Sequence, residues 1–256
     1  MRTRRPRIAV ALRPLLLVCI SFGVLGVVRA QAPSQDEPDH EAGVFSLLQR
    51  NDKAAIPALE AAFVKEKETL TRLMIAAALV KLGDADKAYW EYLVAAASAA
   101  LSNTMPFPVV YDEKGESVRG KYNDEFLAWC ERSKVSPDSA AATALIELPV
   151  PILTLAASHD ARGYDLFARG LTSNNHLIVI ASAQGLARLQ DKRAIPLLIE
   201  AGRRVPAEVA LGVAQALVFF DEPQAQAAVE AFIPDKEYLT ALRKQVQEHG
   251  SNGMLP

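Results

Sequence analysis

Cys130 and His159 have the residue types for nucleophilic catalysis, a thiol and a base to activate it. A thiol attacks as its thiolate, so Cys130 would need an imidazole or a cation beside it to lower its pKa. Of the four histidines only His159 and His176 fall within the body of the chain. His159, however, stands 31 positions before Gln190 in a recurring pattern. A place filled once by histidine and once by a neutral amide reads as a surface turn better than as a catalytic base. Cation ligation is open to Asp36, Asp39, His40 and Glu41, but these occur in a polar stretch with nothing to fix a coordination geometry, so no metal is expected. The chain has no glycine-rich phosphate loop, Gly-x-Ser-x-Gly elbow, His-Glu-x-x-His helix or Cys-x-x-Cys pair. The expectation is a protein that is not an enzyme and carries no cofactor. The alternatives are an envelope enzyme with its site near Cys130 and His159, or a structural component of an envelope assembly.

Other carboxylates have a structural explanation. Asp160, Asp191 and Glu222 are each 31 residues apart, closing one apolar run and opening the next. Leu155, Leu186 and Leu217 share that register, as do Arg162 and Arg193, Tyr164 and Ile195, and Phe167 and Leu198. Near the N-terminus Asp52 and Asp84 are 32 apart, and Ala55-Ile56-Pro57 returns as Ala194-Ile195-Pro196, giving five units in all. Within one unit, Leu177 to Leu189 is long enough for a helix, with Ile178, Ala181, Leu186 and Leu189 near helical spacing. Gln190-Asp191 makes a turn. Asp191 can cap the next helix by accepting from its free N–H groups, and Pro196 falls near that helix's start, where a missing donor costs little. Each unit is therefore a predicted helical hairpin, and the recurring acids are predicted caps. Units that each leave an apolar face must stack, so the expected fold is an all-α solenoid of helical hairpins.

The run Asp191-Lys192-Arg193-Ala194-Ile195-Pro196-Leu197-Leu198-Ile199-Glu200-Ala201, preceded by the alanine-rich Ala181 to Leu189, resembles the short HEAT-like repeat named after phycobilisome lyases. The resemblance covers Val44 to Leu101 and Pro149 to Ile233. It implies the α-solenoid fold and says almost nothing about activity, because lyases, scaffolds and adaptors share the repeat. No lyase residue carries over.

Export is predicted from the first 32 residues. Arg2, Arg4, Arg5, Arg7 and Arg13 precede an uncharged apolar run from Leu15 to Val28 and then Ala30-Gln31-Ala32, the order of a cleavable signal peptide. The run has 14 residues, short of the ~20 that span a bilayer, so no transmembrane span is expected in the mature chain. Cleavage near Ala32 removes six arginines and no acid, leaving 28 − 6 = 22 basic against 30 acidic residues and a formal charge of −8. That balance supplies no basic field for phosphates and argues against a general nucleic-acid binder. Only Cys130 then remains, so no intramolecular disulfide can form in the periplasm or outside the cell.

After a flexible leader at 33–43, the domain reading places HEAT-like units at 44–101, an insertion at 102–148, further units at 149–249 and a tail at 250–256. Within the insertion, Phe107 to Gly120 has short β-type runs around a glycine-containing turn, a predicted β-hairpin that would project from the solenoid. Asn123 or Asp124 should cap a following helix, and Ser136 or Asp138 should start another through Leu148. Aromatics gather here, and Tyr and Trp dominate interface hot spots. Trp90, Phe126 and Trp129 are spaced for buried helix faces, whereas Tyr111 and Tyr122 are candidate partner-binding residues. Arg169, Arg203 and Arg204, with Glu200 and Glu230, are read as outward groups on the ridge of second helices. The expected partner is a protein or peptide.

Overall fold

Capping acids open the helices much as their spacing predicts. In the computed structural model, which describes residues 47–48 and 52–249, the chain runs through α1 (Ile56–Lys65), α2 (Thr69–Leu82) and α3 (Lys87–Leu101). A hairpin follows, β1 (Val109–Tyr111) and β2 (Ser117–Tyr122), then α4 (Asp124–Ser133), α5 (Pro137–Ala142) and α6 (Pro149–Ala157). The remainder is α7 (Tyr164–Gly170), α8 (His176–Leu189), α9 (Ala194–Arg204), α10 (Ala207–Leu217), α11 (Pro223–Phe232) and α12 (Lys236–His249). The export segment, the leader with Asp36, Asp39, His40 and Glu41, and the tail lie outside the described residues.

Asp160 Oδ1 accepts from the Arg162 amide at 2.9 Å ahead of α7, and Asp191 Oδ1 from the Arg193 amide at 2.9 Å ahead of α9. Both preceding helices end on a residue in left-handed geometry, His159 and Gln190, each with φ 54°. One expectation shifts by two residues. Asp84 accepts from the Asp86 amide at 2.7 Å, and it is Asp86 that caps α3, accepting from Ala88 at 2.8 Å. Glu222 makes no side-chain cap at α11; its carboxylate instead reaches Lys192 Nζ at 2.6 Å. Pro223 at the first position of α11 has no N–H to cap.

The body is helix on helix. α2, α6, α8 and α10 touch in succession and form one row. α1 packs on α2, α3 on α2 and α6, α7 on α8, α9 on α10, and α11 on α9 and α10. A single apolar cluster runs from Ala55 to Leu242 through both sets. α8 and α10 are buried almost all round, with every residue from Leu177 to Ala187 enclosed. Small side chains permit that closeness: a Cβ on Gly185 of α8 would lie 2.6 Å from the Phe167 ring of α7. Residues 102–148 thus enter between α3 and α6, helices that pack on each other.

The insertion has its own small core of Met105, Phe126, Cys130, Ala140, Ala141 and Ala144, flanked by Tyr122, Trp129 and Leu145. Asn123 caps α4 as expected, accepting from the Phe126 amide at 2.9 Å, while its Nδ2 donates to Phe107 O at 2.6 Å. The helix predicted through Leu148 is interrupted. α5 gives way to a π-helical turn over Thr143–Glu147 before α6 begins at Pro149. The whole stretch Pro137–Ala157 is the one helical segment among the described residues long and apolar enough to cross a membrane, and half of it is buried inside the protein.

Pro149 leaves that turn with a carbonyl in need of a donor. The Leu148 amide donates to Thr143 O at 2.9 Å, five residues back, instead of to Ala144 O. In π spacing Ala144 O would next look to residue 149, which is proline and has no N–H. The orphaned carbonyl is taken by Asn175 Nδ2 at 2.7 Å, a buried bond. Asn175 Oδ1 meanwhile caps α8, accepting from Leu177 at 3.0 Å and Ile178 at 3.3 Å. One amide therefore closes both the insertion's last turn and the start of α8.

Candidate functional site: the α8–α10 face and its docked hairpin

The hairpin forms with Val109 opposite Tyr122 and Tyr111 opposite Ser117. Asp112 Oδ1 closes its turn by accepting from Lys114 at 2.8 Å and Glu116 at 3.0 Å. The expectation that it projects is corrected: it lies down across the starts of α8 and α10. The reason is local. α10 is preceded by Pro206, whose side chain offers no acceptor to the helix's free amides. Gly115 O supplies one, accepting from the Glu208 amide at 3.2 Å, and Glu208 Oε2 accepts from the Ser117 amide at 2.8 Å in return. Gly115 has φ 76°, and a Cβ there would lie 2.7 Å from the Ala207 nitrogen, so glycine is required both for the turn and for the approach. Beneath the hairpin Phe107, Leu177, Ile180 and Val209 form a buried cluster.

Both candidate tyrosines are spent on internal bonds. Tyr111 Oη lies 2.8 Å from His176 Nδ1 at the start of α8. Burial, then the Glu208 carboxylate, pushes the Tyr111 phenol well above its ordinary pKa, and burial lowers that of His176. A protonated phenol and a neutral imidazole make the hydroxyl the donor and Nδ1 the acceptor. Tyr122 Oη donates to Asp138 Oδ1 at 2.9 Å, a bond that raises its pKa together with a smaller contribution from burial.

Arg169 falls on the last turn of α7 and Arg203 and Arg204 on the last turn of α9, with Glu200 one turn earlier, on the helices that follow the Asp160 and Asp191 turns. Arg204 Nη2 donates to Leu171 O at 2.9 Å, Arg203 is exposed, and Arg169 borders an open groove of about 260 Å³ with Asn103, Thr104 and Asn174. Glu230 pairs with Arg243 at 3.2 Å.

Cys130 and His159 occupy different surroundings. The thiol is buried in the insertion core, a cluster without a histidine. His159 is at the C-terminal end of α6, its pKa lowered by burial and then by Arg188 and Lys81. Among the described residues no group of three or more His, Cys, Asp or Glu could hold a metal ion.

Charges at the turns are largely consumed. The Asp160–Arg162 and Asp191–Arg193 pairs both close to 2.6 Å, and their guanidinium groups lie 4.4 Å from the ring centres of Trp90 on α3 and Tyr164 on α7. On α8 the polar atoms behave differently. Leu177, Ile180, Gln184 and Arg188 make one stripe at helical spacing, the first two covered by the hairpin cluster. Gln184 Oε1 and Arg188 Nη1 are buried and have no hydrogen-bond partner. Burial lowers the Arg188 pKa to about 10. Gln215, 31 residues beyond Gln184 on α10, does find one, with its Nε2 donating to Tyr238 Oη at 2.7 Å. Among the described residues no carboxylate pairs with Arg188 or Lys81.

Comparison with protein-family models, curated proteins and solved structures returns no match to this chain. Gln184 and Arg188 escaped the sequence reading, although two signals pointed to them: a charge inside an otherwise apolar helix, and a glutamine recurring at the 31-residue interval.

Proposed function

We propose that this chain is an exported, non-enzymatic binding scaffold, a HEAT-like α-solenoid whose row of α2, α6, α8 and α10 receives a protein or peptide partner. Support for the solenoid comes from the succession α2, α6, α8 and α10, and from the matching bonds of the Asp160 and Asp191 turns. The carrying observation for binding is the contrast between faces. Turn charges are paired within the chain, whereas α2 and α8 of the row hold buried polar atoms without a partner, Arg72 Nε, Ser182 Oγ, Gln184 Oε1 and Arg188 Nη1. Leaving such groups unpaired costs free energy, and a ligand that pairs them recovers it. The arginine-rich start, apolar run and Ala30-Gln31-Ala32 support a periplasmic or secreted location, and the acidic balance argues against nucleic acid as partner.

A photo-crosslinking residue at Ala157 or Leu211, half-buried positions on α6 and α10, tests the assignment in cells, with Val64 on α1, 80% exposed, as control. A discrete adduct from the α6 and α10 positions and none from Val64 is expected. Equal labelling everywhere, or no adduct at either test position, counts against the scaffold. Rapid modification of native Cys130 by a thiol reagent would reopen the enzyme reading, since a thiol 2% exposed should react only after unfolding.

A further inference from the structure

We propose that the β1–β2 hairpin is an acid-released strap: protonation of His176 loosens its hold on the starts of α8 and α10 and uncovers the apolar cluster of Phe107, Leu177, Ile180 and Val209. The polar bonds that hold the hairpin down are two. Tyr111 Oη meets His176 Nδ1 at 2.8 Å, and in the exchange with α10 Gly115 O accepts from the Glu208 amide at 3.2 Å while Glu208 Oε2 accepts from the Ser117 amide at 2.8 Å. Bonds within the hairpin are separate from these. Asp112 closes its turn, and Asn123 closes its base, with Nδ2 donating to Phe107 O at 2.6 Å and to Val109 O at 3.3 Å. The amides of Glu116 and Lys114 hold the Asp112 carboxyl below the usual carboxylate range, so the turn keeps its charge in mild acid. The hairpin can therefore lift as a unit while its own fold stays closed.

His176 is the group that acid changes. It is the first residue of α8, where the positive end of the helix dipole disfavours a further positive charge. Its ring packs on two others, with centroids 4.9 Å from that of Phe107 and 5.3 Å from that of Tyr111. Burial favours the neutral form, and the neutral ring accepts from the Tyr111 hydroxyl. A proton on Nδ1 removes that acceptor and leaves the half-buried phenol without a partner there for its hydrogen. Relief for the new charge is scarce. One turn along α8 the neighbours Val179 and Ile180 are apolar and buried, and β1 presents Tyr111. From α10 comes Glu208, whose charge acts on the Tyr111 phenol, whereas burial alone shifts His176. Lifting the hairpin hydrates the ring, so the open form binds the proton more tightly than the closed one. By linkage the strap is held fully above the ordinary imidazole pKa of ~6.5, and it loosens as pH falls from there through the lower pKa of the closed form.

Amide hydrogen exchange of the purified protein between pH 7.5 and pH 5 reads the strap directly, each rate being divided by that of an unstructured peptide at the same pH. Protection of the Ser117 and Glu208 amides should fall by about threefold or more across that range, following the protonation midpoint of the His176 ring seen by NMR. At every pH it should lie about tenfold or more below that of the Ile75 amide, on fully buried α2 core, because the strap lifts without unfolding the body. His176→Phe keeps an aromatic ring against Phe107 and removes the proton site, and should abolish the pH dependence at both amides. Glu208→Gln can still accept from Ser117 and should retain it. Protection that stays level or rises in acid, protection equal to that of Ile75, or a pH dependence that survives His176→Phe or disappears in Glu208→Gln overturns the strap. The wild-type curve also decides alone should His176→Phe not fold: a midpoint at the two amides that departs from that of the His176 ring overturns it. The adducts at Ala157 and Leu211 test the scaffold separately.

Discussion

Asn175→Asp separates the two tasks of one buried amide. The variant keeps an oxygen to accept from Leu177 and Ile178, so the cap of α8 survives. It loses the Nδ2 donor, and a carboxylate oxygen then faces Ala144 O where the amide nitrogen sat at 2.7 Å. Leaving a buried carbonyl unsatisfied costs ~1–3 kcal/mol, and a second oxygen pressed against it adds to that, for a total of about 2–4 kcal/mol at neutral pH. At 2–4 °C per kcal/mol for a body of this size, the melting midpoint should fall by roughly 4–16 °C. The deficit should also depend on pH. A protonated carboxyl can donate to Ala144 O, so the fold raises the pKa of the introduced group above the ~3.9 of an unfolded aspartate. Its neutral form is compatible with the fold. The lost stability should therefore be regained as pH falls through the raised folded pKa, and lost again as pH rises through it. Urea unfolding of wild type, Asn175→Asp and Asn175→Ala at pH 4 and pH 7 reads this directly. The alanine variant lacks both cap and donor and should show the same deficit at both pH values. An Asn175→Asp deficit that does not shrink at pH 4, or no deficit at pH 7, would refute the account of the π turn.

Other expectations concern the turns and the hairpin. Gly115→Ala should cost about 2–4 kcal/mol, from a left-handed alanine and the lost exchange with Glu208, and should accelerate hydrogen exchange at the Glu208 and Ser117 amides; unchanged exchange would show that the hairpin docks by other means. A double-mutant cycle of Arg193→Ala and Tyr164→Ala should give a coupling of ~0.5–1 kcal/mol, and a coupling of zero would reduce the cross-unit stack to mere proximity. His176 should titrate below its ordinary 6.5, because burial favours the neutral ring. Its contribution to stability is then present above the unfolded pKa and is lost as pH falls through the folded one, so an imidazole NMR midpoint at or above 6.5 would contradict the burial of the ring.

Local chemistry was legible in the sequence wherever donor and acceptor lie a few residues apart. Asp160, Asp191 and Asn123 cap as their positions require, because a capping bond spans only two or three residues. The displacement of the cap from Asp84 to Asp86 was invisible, since either acid satisfies the spacing. The hairpin was legible from its turn, but its docking was not: the bond from Ser117 to Glu208 spans 91 residues, and only the missing cap at Pro206 hinted that α10 needed an outside acceptor. Tyr111 has the composition of an interface anchor, yet its bond to His176 is set by tertiary proximity. Arg188 was hidden for a related reason, because helical periodicity tells which face a residue occupies and not whether a partner waits there.

The exchange between Gly115 and Glu208 also bears on how the molecule comes apart. A linear stack held by neighbours alone can lose its end units one at a time, since each contact is local. Here the hairpin that follows α3 grips α10, closing a circuit that encloses the chain from α4 to α9. Freeing α10 means first breaking the grip on the hairpin, and freeing the hairpin exposes the apolar patch over α8. Closing that circuit must bring Ser117 to Glu208 across 91 residues, a loop-closure cost that grows only slowly with the length of the loop.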